Sequence, residues 1–447
     1  MYDTVAQYRQ VIGNMLVDDW HPPIMVRLWQ LLHAIAGGTA PIFALQTTLY
    51  AAGFALIVGA LVRRGRWRGA IAAAVLALSP LLLGWQMVVL KDAQMLGALL
   101  AAVGIVAYYR LQQRRIPFAA VAAAAILIAY ATFVRANAAF ATVPLVALLL
   151  PTRERPLLAG ALAVAGVALV IALAPVINHD LLRAEPSDVA KSEPIFDLAG
   201  IAVRTPSDAP SPFTRAERTE LAARHCVKPF FWDSLTDPAG CEDATERLLT
   251  NPAGRLYVEL ARAAAAHPLA YAAHRLAHWN STERWLVAPN LPDAGPPAEA
   301  EVNGFGLAGP QDSAAFTWQD AAAAEAATPL GWPIVWTVVA ALLTPVAWRR
   351  RGEPEGGLAL ALFASALTLE ASFLAISIAS DLRYHLWPMA ASALALILLW
   401  DRIDWRRRTT IAAAVLLAAI AAAGVFARAS LPPAPSSYEQ MIRSPSA

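Results

Sequence analysis

Long stretches without a charged side chain alternate along this chain with short connections rich in arginine. Charge-free or nearly charge-free runs cover residues 40–62, 70–90, 93–109, 116–134, 136–150, 157–177, 329–348, 357–380, 384–400 and 409–427. A helix of about 20 apolar residues crosses a hydrocarbon core roughly 30 Å thick, with its backbone polar groups satisfied inside the segment. The ten runs therefore predict about ten transmembrane helices, the shortest being 136–150 with Pro144 inside it. The predicted fold class is an all-α polytopic membrane protein.

Charge then sets the sidedness. The alternate connections hold Arg63, Arg64, Arg66 and Arg68; Arg110, Arg114 and Arg115; Arg153 and Arg155; Arg349, Arg350 and Arg351; and Arg402 with Arg406, Arg407 and Arg408. Sixteen of the 35 basic residues thus lie in five short loops, and the positive-inside rule places those loops in the cytoplasm. The predicted organisation is an outer segment over 1–39 with an interfacial helix, a first bundle over 40–177, an extracytoplasmic domain over 178–328, a second bundle over 329–428 and an outer tail over 429–447. The long segment 178–328 carries 12 basic and 21 acidic residues and reads as mainly helical. Its clearest helix, Arg255 to Trp279, should break at Pro268. An outer N-terminal segment with no preceding span or signal peptide predicts one of two things. Either it crosses unaided, or the given start lies downstream of a missing first span, which makes eleven in all.

Composition agrees: 58% of residues are hydrophobic and 15% charged, against about 45–50% and about 25% in soluble domains. A net charge of +2 and the lack of a Gly-rich phosphate loop give no reason to expect nucleic acid or a nucleotide as partner. Cys226 and Cys241 make neither a zinc cluster nor a disulfide framework, but on the outer side they are expected to pair.

The polar residues that interrupt the apolar pattern are the candidate chemistry. Asp18-Asp19-Trp20-His21-Pro22-Pro23 opens a helix, since paired prolines suit a first turn and carboxylates the positive end of its dipole. Ile24, Leu28, Leu31, Leu32 and Ile35 then form one apolar stripe, so this helix is expected to lie in the outer interface with Asp19 and His21 at the surface. Capping and anchoring alone also fit those residues. Asp3 adds an acid on the same side. Lys91 and Asp92 form a tight outer turn suited either to a structural ion pair or to holding a lipid-linked phosphate or a divalent cation. Arg135 and Asn137 read more simply as an anchor snorkelling to the interface. Arg383, Tyr384 and His385 stand at the outer mouth of a late span, and the Arg383 fork suits a phosphate. Glu370 is the one acid deep in a run, a functional candidate or half of a buried pair.

Asp3 ahead of an Asp19-x-His21-Pro22-Pro23 segment, the Lys91-Asp92 turn and the late Arg383-Tyr384 pair together resemble the GT-C superfamily of membrane glycosyltransferases. The polyprenyl-phosphate-sugar-dependent members, protein O-mannosyltransferases and lipid A aminoarabinose transferases, are the most similar in pattern. The resemblance implies transfer of a sugar from a polyprenyl-phosphate donor to a lipid, glycan or protein acceptor at the outer face of the cytoplasmic membrane. It implies Asp3 as the catalytic base with Asp19 as the alternative, and Lys91, Arg383 and Tyr384 at the donor phosphate. His21, Asp92, Glu370 and His385 complete the candidate site, with a divalent cation as an optional cofactor. The alternatives are a lipid-linked saccharide transporter or flippase, and an O-antigen polymerase or ligase.

Overall fold

The computed structural model describes residues 2–150, 155–206, 208–297, 300, 302–307, 313–435 and 437–444; Arg153, one of the predicted cytoplasmic arginines, lies outside them. Among the described residues the chain is helical, without a strand. The N-terminal stretch forms α1 (Tyr2–Val11), α2 (Pro23–Ala36), α3 (Ala40–Arg63), α4 (Trp67–Ala77), α5 (Pro80–Gln86), α6 (Lys91–Arg110), α7 (Phe118–Phe133), α8 (Ala139–Leu149) and α9 (Pro156–Pro175). The middle forms α10 (Ser192–Ala202), α11 (Arg215–Ala223), α12 (Glu242–Leu249), α13 (Ala253–Ala266) and α14 (Pro268–Thr282). Then come α15 (Ser313–Ala326), α16 (Pro333–Arg349), α17 (Pro354–Ile376), α18 (Leu386–Leu399), α19 (Arg408–Ser430) and α20 (Tyr438–Arg443).

Each apolar run is helical, but the expected ten spans reduce to six helices long and apolar enough to cross a membrane. They are Ala40–Arg63, Lys91–Arg110, Pro156–Leu181, Pro354–Ile376, Leu382–Arg402 and Arg408–Ser430. The causes are local. The run 70–90 breaks at Ser79-Pro80, where proline cannot donate to the helix ladder; Ser79 Oγ accepts from the Leu82 N–H and starts a new helix, so α4 and α5 are bent by 52°. Counted as one broken span, that pair makes seven. Buried Arg135 and Asn137 turn the chain between the 16 residues of α7 and the 11 of α8. Thr328 caps a separate 3-10 turn at Pro329–Gly331, which leaves α16 only 17 residues.

The chain forms two compact units. The first comprises residues Met1–Pro186, Gly295–Glu370 and Arg383–Ala419. Its centre is α6, buried along most of its length and packed tightly on α3, where a Cβ added at Gly53 would strike the Leu100 carbonyl. A buried amide network closes one end of this contact. Gln46 Nε2 donates to the carbonyls of Gln86 (2.6 Å) and Val88 (2.9 Å), Gln86 Nε2 donates back to Gln46 O (3.0 Å), and Gln94 Nε2 donates to Gln46 Oε1 (3.1 Å). The residues just before Lys91 are thereby held in place. In α2 the inward face is Met25, Val26 and Trp29, while Leu31 and Ile35 of the apolar stripe are exposed. Residues 313–326, part of the predicted extracytoplasmic segment 178–328, pack within this unit. Their helix α15 packs on α5, with Glu325 accepting from Ser79 Oγ (2.8 Å) and from the Leu81 N–H (3.0 Å).

The second unit comprises Ser187–Ala294, Ala371–Leu382 and Ile420–Ala447. Ile195, Phe196, Leu198, Leu221, Trp232 and Leu256 form its core, beside the disulfide joining Cys226 to Cys241. The predicted break falls at Pro268, between α13 and α14. In the C-terminal stretch, Met441 and Ile442 of α20 pack on Phe230 and Phe231, and Lys228 Nζ donates to Ser444 O.

Candidate functional site

Four chain segments of the first unit bring their charged residues together. Helix α1 begins at Tyr2, which puts Asp3 in its first turn, and Thr4 Oγ1 donates to Val89 O (2.9 Å), tying α1 to the turn before α6. That turn ends with Leu90 extended, so Lys91 and Asp92 occupy the first turn of α6, where a carboxylate suits the helix dipole. Arg135 and Asn137 come from the corner between α7 and α8, and Arg383 and Tyr384 from the 3-10 turn Leu382–His385 that leads into α18.

Asp3 Oδ2 lies 3.1 Å from Arg383 Nη1 and 3.8 Å from Lys91 Nζ. Asp92 Oδ1 meets Arg135 Nη1, and its Oδ2 lies 3.6 Å from Arg383 Nε. Arg135 Nε donates to Asn137 Oδ1 (2.7 Å), and its guanidinium lies 3.8 Å from the centre of the Tyr384 ring, a cation–π distance. Lys91 and Asp92, adjacent in sequence, thus have different partners. The cluster is graded from outside to inside: the side chains of Asp3 and Lys91 keep 16% exposure and that of Asp92 only 2%. Asp3 is therefore the less buried of the two carboxylates, and Asp92 the one that holds Arg135 and Arg383 in place.

Burial opposes the ionisation of Asp3, but Arg383, Lys91 and His21 overcome it and hold the carboxyl well below the usual carboxylate range. His21 is pushed down to about 4, first by burial and then by the charge of Lys91, so its ring is neutral at pH 7. With a folded pKa of about 4 below an ordinary 6.5, the unfolded chain takes up the proton first as pH falls. The contribution of His21 to stability is complete above the unfolded value and is lost as pH falls toward the folded one. We expect the melting temperature to drop on acidification through that window, and His21→Gln to flatten the slope. A native melting temperature that does not change across the window would contradict this.

Asp19, Glu370 and His385, which the sequence also proposes for the site, have partners of their own in the first unit. Asp19 Oδ2 pairs with His179 Nε2 (3.4 Å), and the neighbouring Asp18 Oδ1 accepts from the Trp20 N–H (3.2 Å). Glu370 meets His385 Nδ1 at 2.7 Å, a buried pair between α17 and the turn before α18. Arg135 corrects the reading of a snorkelling anchor. It is buried and pairs inward because Asp92 offers a carboxylate in the same low-dielectric space. The only signal for this was its place between two apolar runs, with an asparagine two residues on. Among the described residues no group of three or more His, Cys, Asp or Glu side chains is arranged to hold a metal ion.

The cluster suits an anion. Arg383, Lys91 and Arg135 gather around the carboxylates of Asp3 and Asp92, three cations in one partly open cluster. Comparison with family models, curated proteins and solved structures finds no match to this chain.

Proposed function

We propose that this chain is a membrane glycosyltransferase of the GT-C kind, moving a sugar from a polyprenyl-phosphate donor to a lipid, glycan or protein acceptor at the outer face of the cytoplasmic membrane. The observation that carries the reading is Asp3 meeting both Lys91 and Arg383 at the least buried edge of a cluster rich in cations. A polyprenyl-phosphate sugar is a phosphodiester with a single negative charge, which an ammonium and a guanidinium are suited to receive.

The donor phosphate competes with Asp3 for Lys91 and Arg383. As it takes those cations, the Asp3 carboxylate loses the charges that depress its proton affinity and becomes a better base. The acceptor hydroxyl or amine attacks the anomeric carbon, its proton passes to Asp3, and the bond from that carbon to the phosphate oxygen breaks. The electron pair leaves with polyprenyl phosphate, whose second negative charge develops against Lys91 and Arg383. Both cations are already in place, so the step does not require a divalent ion.

The orientation rests on the arginine-rich connections and on the Cys226–Cys241 bond, which suits an oxidising compartment. Neither cysteine is free, so Ala300→Cys adds a unique thiol among the described residues. A membrane-impermeant maleimide is expected to label it in cells whose inner membrane is intact. Labelling only after that membrane is permeabilised would overturn the orientation.

The function itself is tested by purified protein in vesicles supplied with polyprenyl-phosphate sugars. Glycosyl transfer with release of polyprenyl phosphate supports it. Passage of intact donor across the bilayer would instead make the chain a flippase, and use of pyrophosphate-linked donors alone would make it a polymerase or ligase.

A further inference from the structure

Asp3 is one of three polar residues on a single face of α1, followed at i+4 and i+7 by Gln7 and Gln10. Gln7 and Gln10 are 0% and 1% exposed. Neither amide oxygen and neither amide nitrogen has a hydrogen-bond partner among the described residues, and the same holds for Nδ1 of buried His21. Buried side-chain polar atoms are nearly always paired, because an orphaned one keeps its desolvation penalty without recompense. Four such atoms on a helix of 10 residues are therefore out of the ordinary. The same unit supplies partners elsewhere, since Gln46 and Gln94 both donate to protein oxygens. A leucine would fill the place of either Gln7 or Gln10 without leaving polar atoms unpaired.

We infer that Gln7, Gln10 and His21 form a subsite for the hydroxyl groups of an uncharged sugar ring, extending along α1 from Asp3. This rests on the glycosyl-transfer reading and deepens it. A primary amide is neutral and both donates and accepts, as a hydroxyl does, whereas a phosphate needs a cation and an amine an acid. His21, neutral at pH 7 because burial and Lys91 disfavour its charged form, likewise offers one donor and one acceptor. The helix rise puts Gln7 roughly 6 Å beyond Asp3 along the axis and Gln10 roughly 10 Å beyond it, about the reach of one to two sugar rings. Asp3 and Lys91, at the start of that face, each keep 16% side-chain exposure. The hydroxyls belong either to the donor sugar or to a glycan acceptor.

The test compares native protein with Gln7→Leu and Gln10→Leu. Affinity is measured for bare polyprenyl phosphate and for polyprenyl phosphate carrying mannose, glucose or arabinose, and melting temperature is measured with and without millimolar methyl glycosides. The variants are expected to fold with an unchanged or raised melting temperature and to bind bare polyprenyl phosphate as the native protein does. If the hydroxyls are the donor's, the native protein prefers a glycosylated lipid and each variant loses about tenfold of that preference. If they are an acceptor's, methyl glycosides raise the melting temperature of the native protein only. Should either leucine variant fail to fold, Gln7→Met and Gln10→Met give the same readings. A sugar preference and glycoside response identical in native and variant proteins would overturn the subsite while leaving glycosyl transfer intact. No native affinity for any polyprenyl phosphate would overturn both.

Discussion

Asp3→Asn is expected to cut turnover by about 10²-fold or more while donor binding persists or tightens. The side chain keeps its shape but cannot accept the acceptor's proton. Its second effect comes from the ion pairs: Lys91 and Arg383 both lose a competing anion, so the donor phosphate meets cations that are less engaged. This combination, lower turnover with undiminished donor affinity, separates a base from a structural carboxylate. Losing Asp3 as a purely structural partner would leave two cations crowded together, and would lower stability with turnover per folded molecule unchanged. Initial rates and donor affinity measured on one preparation decide between them. Near-normal turnover would move the base to Asp19, which pairs with His179.

The second large effect is expected at Lys91. Lys91→Met keeps much of the stem and removes the charge, and its partner Asp3 retains Arg383 at 3.1 Å. The melting temperature should therefore change little. A charged hydrogen bond to phosphate is worth about 1.5–3 kcal/mol, so donor affinity should fall about 10- to 100-fold, with turnover falling as well because the same ammonium meets the leaving phosphate. Arg135→Met provides the contrast. Arg135 holds Asp92, whose side chain is 2% exposed, and removing one partner of a buried pair costs about 3–5 kcal/mol. Stability should drop there, with donor affinity changed less than in Lys91→Met. The opposite ordering, a stable Arg135→Met with weak donor binding beside a destabilised Lys91→Met, would reverse the roles of the two cations.

Apolar runs and polar interruptions are visible in the sequence because each is a local property, and every run is helical in the structure. The span count is less legible. A charge-free run carries no record of whether Ser79 will cap a new helix or Arg135 turn inward, and both depend on partners far along the chain, Glu325 for Ser79 and Asp92 for Arg135. The site shows the same division. Lys91, Arg383 and Tyr384 stand out as polar residues at the ends of apolar runs, and Asp3 and His21 through the resemblance. Arg135 offers equal reasons to snorkel or to pair, and only the position of Asp92 decides. His21 feels the charges of Lys91, Asp3 and Arg383, while Asp19, two residues before it, pairs with His179 far along the chain. The helical spacing of Asp3, Gln7 and Gln10 is plain in the sequence, but only the packing around α1 reveals that the two amides are buried without partners among the described residues.

Everything proposed for the site depends on a lipid-linked phosphate occupying the edge held by Lys91 and Arg383. A structure of the protein with bound polyprenyl phosphate tests this most directly. The expected result is a phosphate within hydrogen-bond distance of Lys91 Nζ and the Arg383 guanidinium, with Asp3 no longer bridging both. A phosphate lodged instead among Arg64, Arg66 and the other arginines of that connection, with the Asp3–Lys91 and Asp3–Arg383 pairs intact, would contradict it.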